Sequence, residues 1–503
     1  MTALERAIAR PDPVHDFAAR SPLHGLERRT VGFADVLAQS VAAVAPTAAA
    51  TTVILLVAGA AGGATVLAVA VATLLALLVA WTVNQFARRL AASGSLYTYA
   101  ARGLGPAAGL ATAAAIIVGY AFISVFALLG GAHYLSLMMT RVWPGAPAPL
   151  LSALALAGET AVLAVVLVRG IRLSSRVALV VEAVSVALVV ALLIALLVHI
   201  GPLQPEALWP SESGGVSGSG GVSGSAVAAG AVLALTAFVG FESAATLGVE
   251  ARSPLRNIPR AIVWTVLVAG TLYLLAAYTQ VAGFTAAGRD LVDSEAPIDE
   301  LAALFGLQGW AAAADVGIAA SFLACALAST TALTRVLFAL GRDGVVPSLF
   351  GRAHARHRTP IGAVAVAVPV IAAIPLALVA GGIRPWDAME SVIVVSAVGY
   401  IVAYAIVCVA APVFLRRIGE TTAWAAAVAM IAAAAIISCL AVYLVVEAQV
   451  GNPGVGITTA LAAVAAGLIA WRMRPAAPRL DGVGGYDEPV AAQVLGGVAR
   501  TEG

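Results

Sequence analysis

Three carboxylates and a histidine stand inside stretches of this 503-residue chain that are otherwise almost free of charge: Glu159, Glu182, Glu242 and His133. An ionisable side chain held in an apolar segment is costly, and it marks a candidate for carrying a proton or meeting a polar solute. Glu182 lies about two turns into its stretch. It is the first candidate for a group that takes up and releases a proton as access changes sides; the plainer alternative is a hydrogen-bonded structural carboxyl. Glu242 lies two residues after Gly240 and could contact the backbone there, meet an amine, or steady its own helix. Glu159 in mid-stretch reads as helix packing, and His133 as a packed aromatic.

The backbone around two of these groups is unusual as well. Val44-Ala45-Pro46-Thr47-Ala48 puts a proline a third of the way into the first apolar stretch, where it removes a donor and clashes with the preceding turn. Thr236-Ala237-Phe238-Val239-Gly240-Phe241-Glu242-Ser243-Ala244-Ala245 puts a glycine between two aromatics beside a carboxylate. Both sites read as helix breaks. Freed amides can hold a carboxylate and freed carbonyls an ammonium or cation, provided the break is buried or lines a cavity.

The elements that must position these residues are apolar spans. The chain is 61% hydrophobic and 11% charged, against about 25% charged in an ordinary soluble protein. Twelve stretches, at 36–59, 64–87, 107–139, 149–168, 174–200, 226–248, 261–283, 310–340, 360–380, 387–411, 422–447 and 454–472, are about long enough to cross a hydrocarbon core as helices. The basic residues, all arginine, fall almost entirely on alternate connections. One side carries Arg28, Arg29, Arg88, Arg89, Arg102, Arg169, Arg172, Arg176, Arg252, Arg256, Arg260, Arg342, Arg352, Arg356, Arg358, Arg416, Arg417, Arg472 and Arg474. The other connections carry Arg141, Arg289 and Arg384. Positive charge marks the cytoplasmic side, so both termini are expected there, in the cytoplasmic membrane.

Residues 1–35 read as a cytoplasmic segment without a cleavable signal, 36–209 as a five-span block, and 210–225 as an outer Gly/Ser linker. Residues 226–411 read as a second five-span block, 412–474 as the last two spans, and 475–503 as a disordered cytoplasmic tail. An odd number of spans per block inverts the second against the first, the topology many secondary transporters use. Net charge is +2, so nothing points to nucleic acid. The cysteines, Cys325, Cys408 and Cys439, lack metal or disulfide spacing. No phosphate loop is present, and the scattered histidines form no catalytic constellation. Neither a cofactor nor a metal is expected.

Three further motifs carry a family resemblance. Phe238-Val239-Gly240-Phe241-Glu242-Ser243, with Glu250-Ala251-Arg252-Ser253-Pro254 and Ile258-Pro259-Arg260-Ala261, resembles the span-6 signature of amino acid–polyamine–organocation (APC) superfamily permeases. Arg335-Val336-Leu337-Phe338-Ala339-Leu340-Gly341-Arg342-Asp343-Gly344 resembles the signature after span 8, and Gly94-Ser95-Leu96-Tyr97-Thr98-Tyr99 the one after span 2. The resemblance implies an all-α integral membrane protein of twelve transmembrane helices. Its fold would be a leucine-transporter-like 5+5 inverted repeat with helices 1 and 6 broken, plus two peripheral helices. It also implies that a substrate's carboxylate and amine meet the backbone around Ala45, Pro46, Thr47 and Ala48 and around Thr236, Ala237, Phe238 and Gly240. Phe238 or Phe241 would cover the ligand. Relatives often carry a glycine-rich run where this chain has Ala-Pro-Thr-Ala. Some proton-coupled relatives carry a span-5 lysine, near whose place Ser185 stands. Tyr120 and Phe122 are further wall candidates. Glu250, Arg252, Arg335 and Arg342 could form ion pairs closing an inner gate, or simply anchor the chain on the positive side.

The reading is a permease for amino acids or related amines that works by alternating access. Proton coupling is the expected drive, with Glu182, Glu242 and Ser185 as its candidate residues. The alternatives are a sodium-independent exchanger, a polyamine- or ethanolamine-type amine permease and, more distantly, a membrane enzyme or scaffold. Few charges line the proposed cavity, which favours neutral amino acids. A monomer suffices. Gly240→Leu is expected to abolish uptake while leaving the protein folded.

Overall fold

The computed structural model describes residues 23, 25–169, 171–201, 204–208, 224–294, 296–474 and 482–487. The first 22 residues, nearly all of the 210–225 linker and most of the 475–503 tail lie outside the described residues. Among the described residues there is no strand, only one isolated bridge between Val31 and Ala251. Helix is the expected outcome for apolar runs, because a helix satisfies its own backbone without water.

In chain order the helices are α1 (Phe33–Val44), α2 (Pro46–Ala48), α3 (Ile54–Ala61), α4 (Thr65–Ala87), α5 (Leu96–Leu104) and α6 (Pro106–Val142). Then come α7 (Ala148–Arg169), α8 (Ile171–Ile200), α9 (Pro205–Leu208), α10 (Gly224–Thr236), α11 (Pro254–Ala286) and α12 (Pro297–Leu304). The last are α13 (Gln308–Arg342), α14 (Ile361–Ala380), α15 (Pro385–Arg417), α16 (Ala423–Gln449) and α17 (Pro453–Arg472). A π-helical turn, Ala49–Val53, joins α2 to α3, and a 3₁₀ helix, Phe241–Leu247, follows α10. Proline opens α2, α6, α11, α12, α15 and α17 at the first helical turn, where its missing N–H costs nothing.

Among the described residues, eleven helical segments are long and apolar enough to cross a membrane, and the chain is a multi-pass membrane protein. The first segment, Phe33–Ala87, has 55 residues, about 80 Å if straight. It is not straight: the backbone leaves helical geometry at Ala45 (φ 48°, ψ 62°) and at Gly62 (φ 54°, ψ −130°). The two longest single helices are α6, with 37 residues, and α13, with 35. α11 and α15, at 33 residues each, exceed the expected 261–283 and 387–411. Their opening prolines start the helix before the apolar stretch, and α15 also carries its helix on through Arg416 and Arg417.

α6 packs along both α13 and α15, and these three long helices form the centre. α1 lies against α8, α11 and α13, and the 3₁₀ segment lies against α1 and α11. The two broken regions are therefore brought together inside the bundle. In α17 only Gly454 is fully buried in the protein.

The tail expected to be disordered contains one placed segment. Residues 482–487 lie against α5, the N-terminal segment and the turn after α13, and the Asp487 side chain is fully buried between Arg28 and Arg29. The Gly484-Gly485 pair makes this approach possible. A Cβ on Gly485 would lie 2.6 Å from Asp343 Oδ1, and one on Gly484 (φ 82°) would lie 2.7 Å from the Ala101 side chain.

Candidate functional site

α1 stops at Val44 because Ala45 takes a left-handed conformation and Pro46 begins a new helical run. Helical geometry then continues through the π turn to Ala61. Pro46 has no N–H, so the first free amides are those of Thr47 and Ala48. Both are taken by side chains from neighbouring helices. Thr47 N donates to Glu182 Oε1 of α8 at 3.1 Å, and Ala48 N donates to Ser321 Oγ of α13 at 3.3 Å. Ser321 in turn donates to the same Glu182 oxygen at 2.9 Å. The π turn displaces carbonyls from regular helical pairing, as such turns at functional positions often do. Gln280 of α11 donates to one of them, Ala50 O, at 2.9 Å.

The second break runs from Thr236 to Phe241. Gly240 has φ 102°, and a Cβ built there would lie 2.8 Å from the Ala43 Cβ and 2.9 Å from its carbonyl carbon and oxygen. Only glycine allows the two broken chains to touch in this way. Ser40 donates to Phe241 O and Ser243 donates to Gln39 O, tying the breaks together. Tyr273 of α11 donates to Ala237 O at 2.7 Å and reaches Val44 O at 3.5 Å, so one hydroxyl touches both breaks.

Glu242 is fully buried and well supplied with donors. Tyr120 OH of α6 donates to Oε1 at 2.8 Å, Tyr404 OH of α15 to Oε2 at 2.5 Å, and Gly240 N to Oε2 at 3.2 Å. Three donors thus tie this carboxylate to α6, α15 and its own break, and Tyr120 meets Glu242 without lining the pocket between the breaks.

A pocket of about 20 Å³ lies between the breaks, room for roughly one water. Of the residues expected around a substrate, Ala45, Ala48, Thr236 and Ala237 line it; Pro46, Thr47, Phe238, Gly240 and Phe241 do not. Phe238 packs edge-on against Tyr273, and Phe241 stacks on Tyr404. The aromatic walls are instead Phe126 of α6 and Phe322 of α13, with Ile123, Cys325 and Ile393 of α15. Sequence reasoning missed these. The available signal was the pair spacing Ile123/Phe126 and Phe322/Cys325, one helical turn apart, but it acquires meaning only once α6 and α13 are known to face the breaks. Phe122 is a partly buried packing residue. Ser185 donates its hydroxyl to Val181 O and packs against Gly317.

At one end of this region Glu250 and Arg335 form a buried two-pronged ion pair, with Nε–Oε2 2.7 Å and Nη2–Oε1 2.9 Å. Arg335 also donates to Thr331 O. Arg252 is exposed and joins through its backbone, donating to Val31 O. Arg342 is half-buried at the end of α13 and lies outside the pair. Glu159 is buried against Gly131, and neither oxygen finds a hydrogen-bond partner among the described residues. His133 packs on Tyr134 and Trp386. No cluster that could hold a metal occurs among the described residues.

Known proteins share this sequence pattern. The family described as Amino acid permease matches residues 35–469. The Branched-chain amino acid permease BcaP of Bacillus subtilis (strain 168) is 24% identical over 373 residues, 71% of this chain and 76% of that protein. The Cationic amino acid transporter 6, chloroplastic, of Arabidopsis thaliana is 24% identical over 67% of this chain and 58% of its own length. The Low-affinity putrescine importer PlaP of Escherichia coli (strain K12) is 31% identical over 26% of this chain and 30% of its own length.

Proposed function

The chain belongs to the amino acid permease family, and from that premise we propose that it carries small neutral amino acids across the cytoplasmic membrane by proton-coupled alternating access. The observation that carries this reading is the pair of broken helices meeting around one apolar pocket whose lining has no charged side chain. That lining suits an aliphatic side chain, as in the substrates named for BcaP, better than a diamine such as the one named for PlaP.

In this reading the turn at Gly62 divides the first 55-residue segment into two spans, giving twelve. Spans 1–5 and 6–10 are then inverted five-helix units, with α16 and α17 peripheral. Spans 1, 2, 6 and 7 rock against spans 3, 4, 8 and 9 around the pocket. The arginine-rich connections, and with them both terminal segments, face the cytoplasm. Support comes from the meeting of Arg28 and Arg29 with Asp487 on one face. The Glu250–Arg335 pair closes the inner side. Glu182 is the coupling carboxylate, while Glu242 is structural.

The test is uptake of a labelled amino-acid and amine panel into proteoliposomes, with and without an inward proton gradient, for wild type and Phe322→Ala. Gradient-stimulated uptake of a short aliphatic amino acid is expected. Removing the Phe322 ring should shift preference toward larger side chains, by roughly tenfold or more in the kcat/KM ratio. Uptake of none of the panel, or selectivity indifferent to Phe322, would overturn the assignment.

A further inference from the structure

The anion-holding amides of the first break are already in use by the protein itself. Thr47 N binds the Glu182 carboxyl, and Ala48 N binds the Ser321 hydroxyl that also donates to Glu182. These amides begin a helical run from 46 to 61, where the backbone favours a negative group. Glu182 is 1% exposed, and its Oε2 accepts no hydrogen bond among the described residues. One oxygen thus caps the break while the other has nothing to hold it. The titratable groups facing this carboxyl are the Tyr273 hydroxyl of α11 and the Cys325 thiol of α13. α1 and α2 offer it only backbone and Thr47, and no basic side chain contacts it among the described residues.

We propose that Glu182 is a built-in competitor for the substrate's carboxylate: an amino acid reaches the Thr47 and Ala48 amides only as Glu182 takes up a proton and lets go. This rests on the amino acid permease reading above. Two carboxylates cannot share two buried amides without a counter-charge, since like charges in one site disfavour each other. The exchange balances. One proton from the aqueous side binds a Glu182 oxygen and the Thr47 hydrogen bond passes to the incoming carboxylate, so a single carboxylate caps the amides before and after, while the substrate's own ammonium adds one positive charge beside them. When the substrate leaves, Glu182 releases the proton and caps the amides again. Each bound carboxylate therefore brings one proton. A ligand with the same side chain but no carboxylate does not need the exchange and brings none.

The experiment is ligand-induced thermal stabilisation of the full chain in detergent from pH 5 to pH 8, using leucine, its decarboxylated analogue isoamylamine and, if another member of the amino-acid panel binds better, that amino acid with its own amine. Amino-acid affinity should fall toward tenfold per pH unit above the titration of Glu182, while amine affinity should not. In Glu182→Gln the amino-acid dependence should flatten. Equal pH dependence for acid and amine in wild type would overturn the competition even if the variant failed to fold, and would leave the permease reading standing. Unchanged pH dependence in the variant would do the same. Binding of no amino acid at any pH would bring down the permease reading, and this inference with it.

A separate observation concerns residues 482–487. Gly484 N donates to Tyr97 OH and to Asp343 Oδ2, and Gly485 N donates to the same Asp343 oxygen. Arg102 donates to Gly484 O and lies 4.6 Å from the Tyr486 ring. Asp487 N donates to Ala91 O, and its carboxylate joins Arg28 and Arg29 at 2.8 and 2.6 Å. Burial pushes the Asp343 carboxyl up from its ordinary value, and the Tyr97 hydroxyl and the two glycine amides pull it back. The segment thus links chain preceding α1 and following α4 to chain following α13. We infer that it is a strap that holds the Glu250–Arg335 side of the site closed. Asp487→Asn, or truncation after Arg474, should raise initial uptake rates and speed alkylation of Cys325, which lines the pocket. Unchanged rates and labelling in Asp487→Asn would overturn the strap.

Discussion

Arg335→Met should lower the thermal midpoint sharply and expose the pocket between the breaks to the arginine-rich face of the protein. The guanidinium supplies two of the hydrogen bonds to Glu250, and both side chains are almost fully buried. Removing one partner leaves the other charge buried and uncompensated, a loss of about 3–5 kcal/mol. The pair also joins the chain just after the 3₁₀ segment to α13, so its loss frees the second break from the helix that carries Phe322. Accessibility can be read without new cysteines: Cys325 lines the pocket and is buried, so peptide mapping after impermeant alkylation reports its opening. Labelling should rise in Arg335→Met. The double variant Glu250→Gln/Arg335→Met should recover most of the stability, because a neutral pair carries no desolvated charge, yet it should remain easily labelled. Arg335→Lys should fall between, since an ammonium cannot reproduce the two-pronged geometry. Wild-type labelling in both the single and the double variant would remove the pair from any gating role.

That pair was legible in the sequence as a set of charges and no more. Glu250, Arg252 and Arg342 flank apolar spans and Arg335 lies near the end of one, and nothing in their spacing says which two will meet. The helices themselves were easier. A long run of apolar residues has few alternatives to helix in lipid, and Pro46 and Gly240 announce the breaks through backbone chemistry that needs no tertiary context. The pocket walls were not legible, because every span is apolar on nearly every face. Phe126 and Phe322 look no different from Phe284, which is simply buried. Glu182 and Thr47 are 135 residues apart, and a carboxyl capping a distant helix leaves no local trace. The tail shows the reverse case: a Gly/Pro/Ala-rich composition argues for disorder, while two glycines and one aspartate suffice to dock six residues where arginines already stand.

Gly240→Ala should abolish uptake and also destabilise the fold, which replaces the expectation that Gly240→Leu loses uptake but still folds. Two separate effects act. An L-residue at φ 102° carries backbone strain of about 1–3 kcal/mol. The new Cβ would also sit 2.9 Å from the Ala43 carbonyl carbon and oxygen, atoms of the facing broken chain that cannot rotate aside. The chains must separate, and the Ser40–Phe241 and Ser243–Gln39 hydrogen bonds would go with them. Gly382 isolates the first effect: it has φ 85°, and a Cβ added there would meet nothing within 4 Å. Gly382→Ala should therefore lower the thermal midpoint modestly and leave uptake intact. If Gly240→Ala costs no more than Gly382→Ala and still transports, the close approach of the two breaks is not what builds the site. If it costs more and transport is lost, the contact between Ala43 and Gly240 is the hinge on which the pocket is assembled. In that case compensation has to come from the opposite chain. Ala43→Gly would remove the clashing Cβ but not the carbonyl, so it should rescue Gly240→Ala only in part.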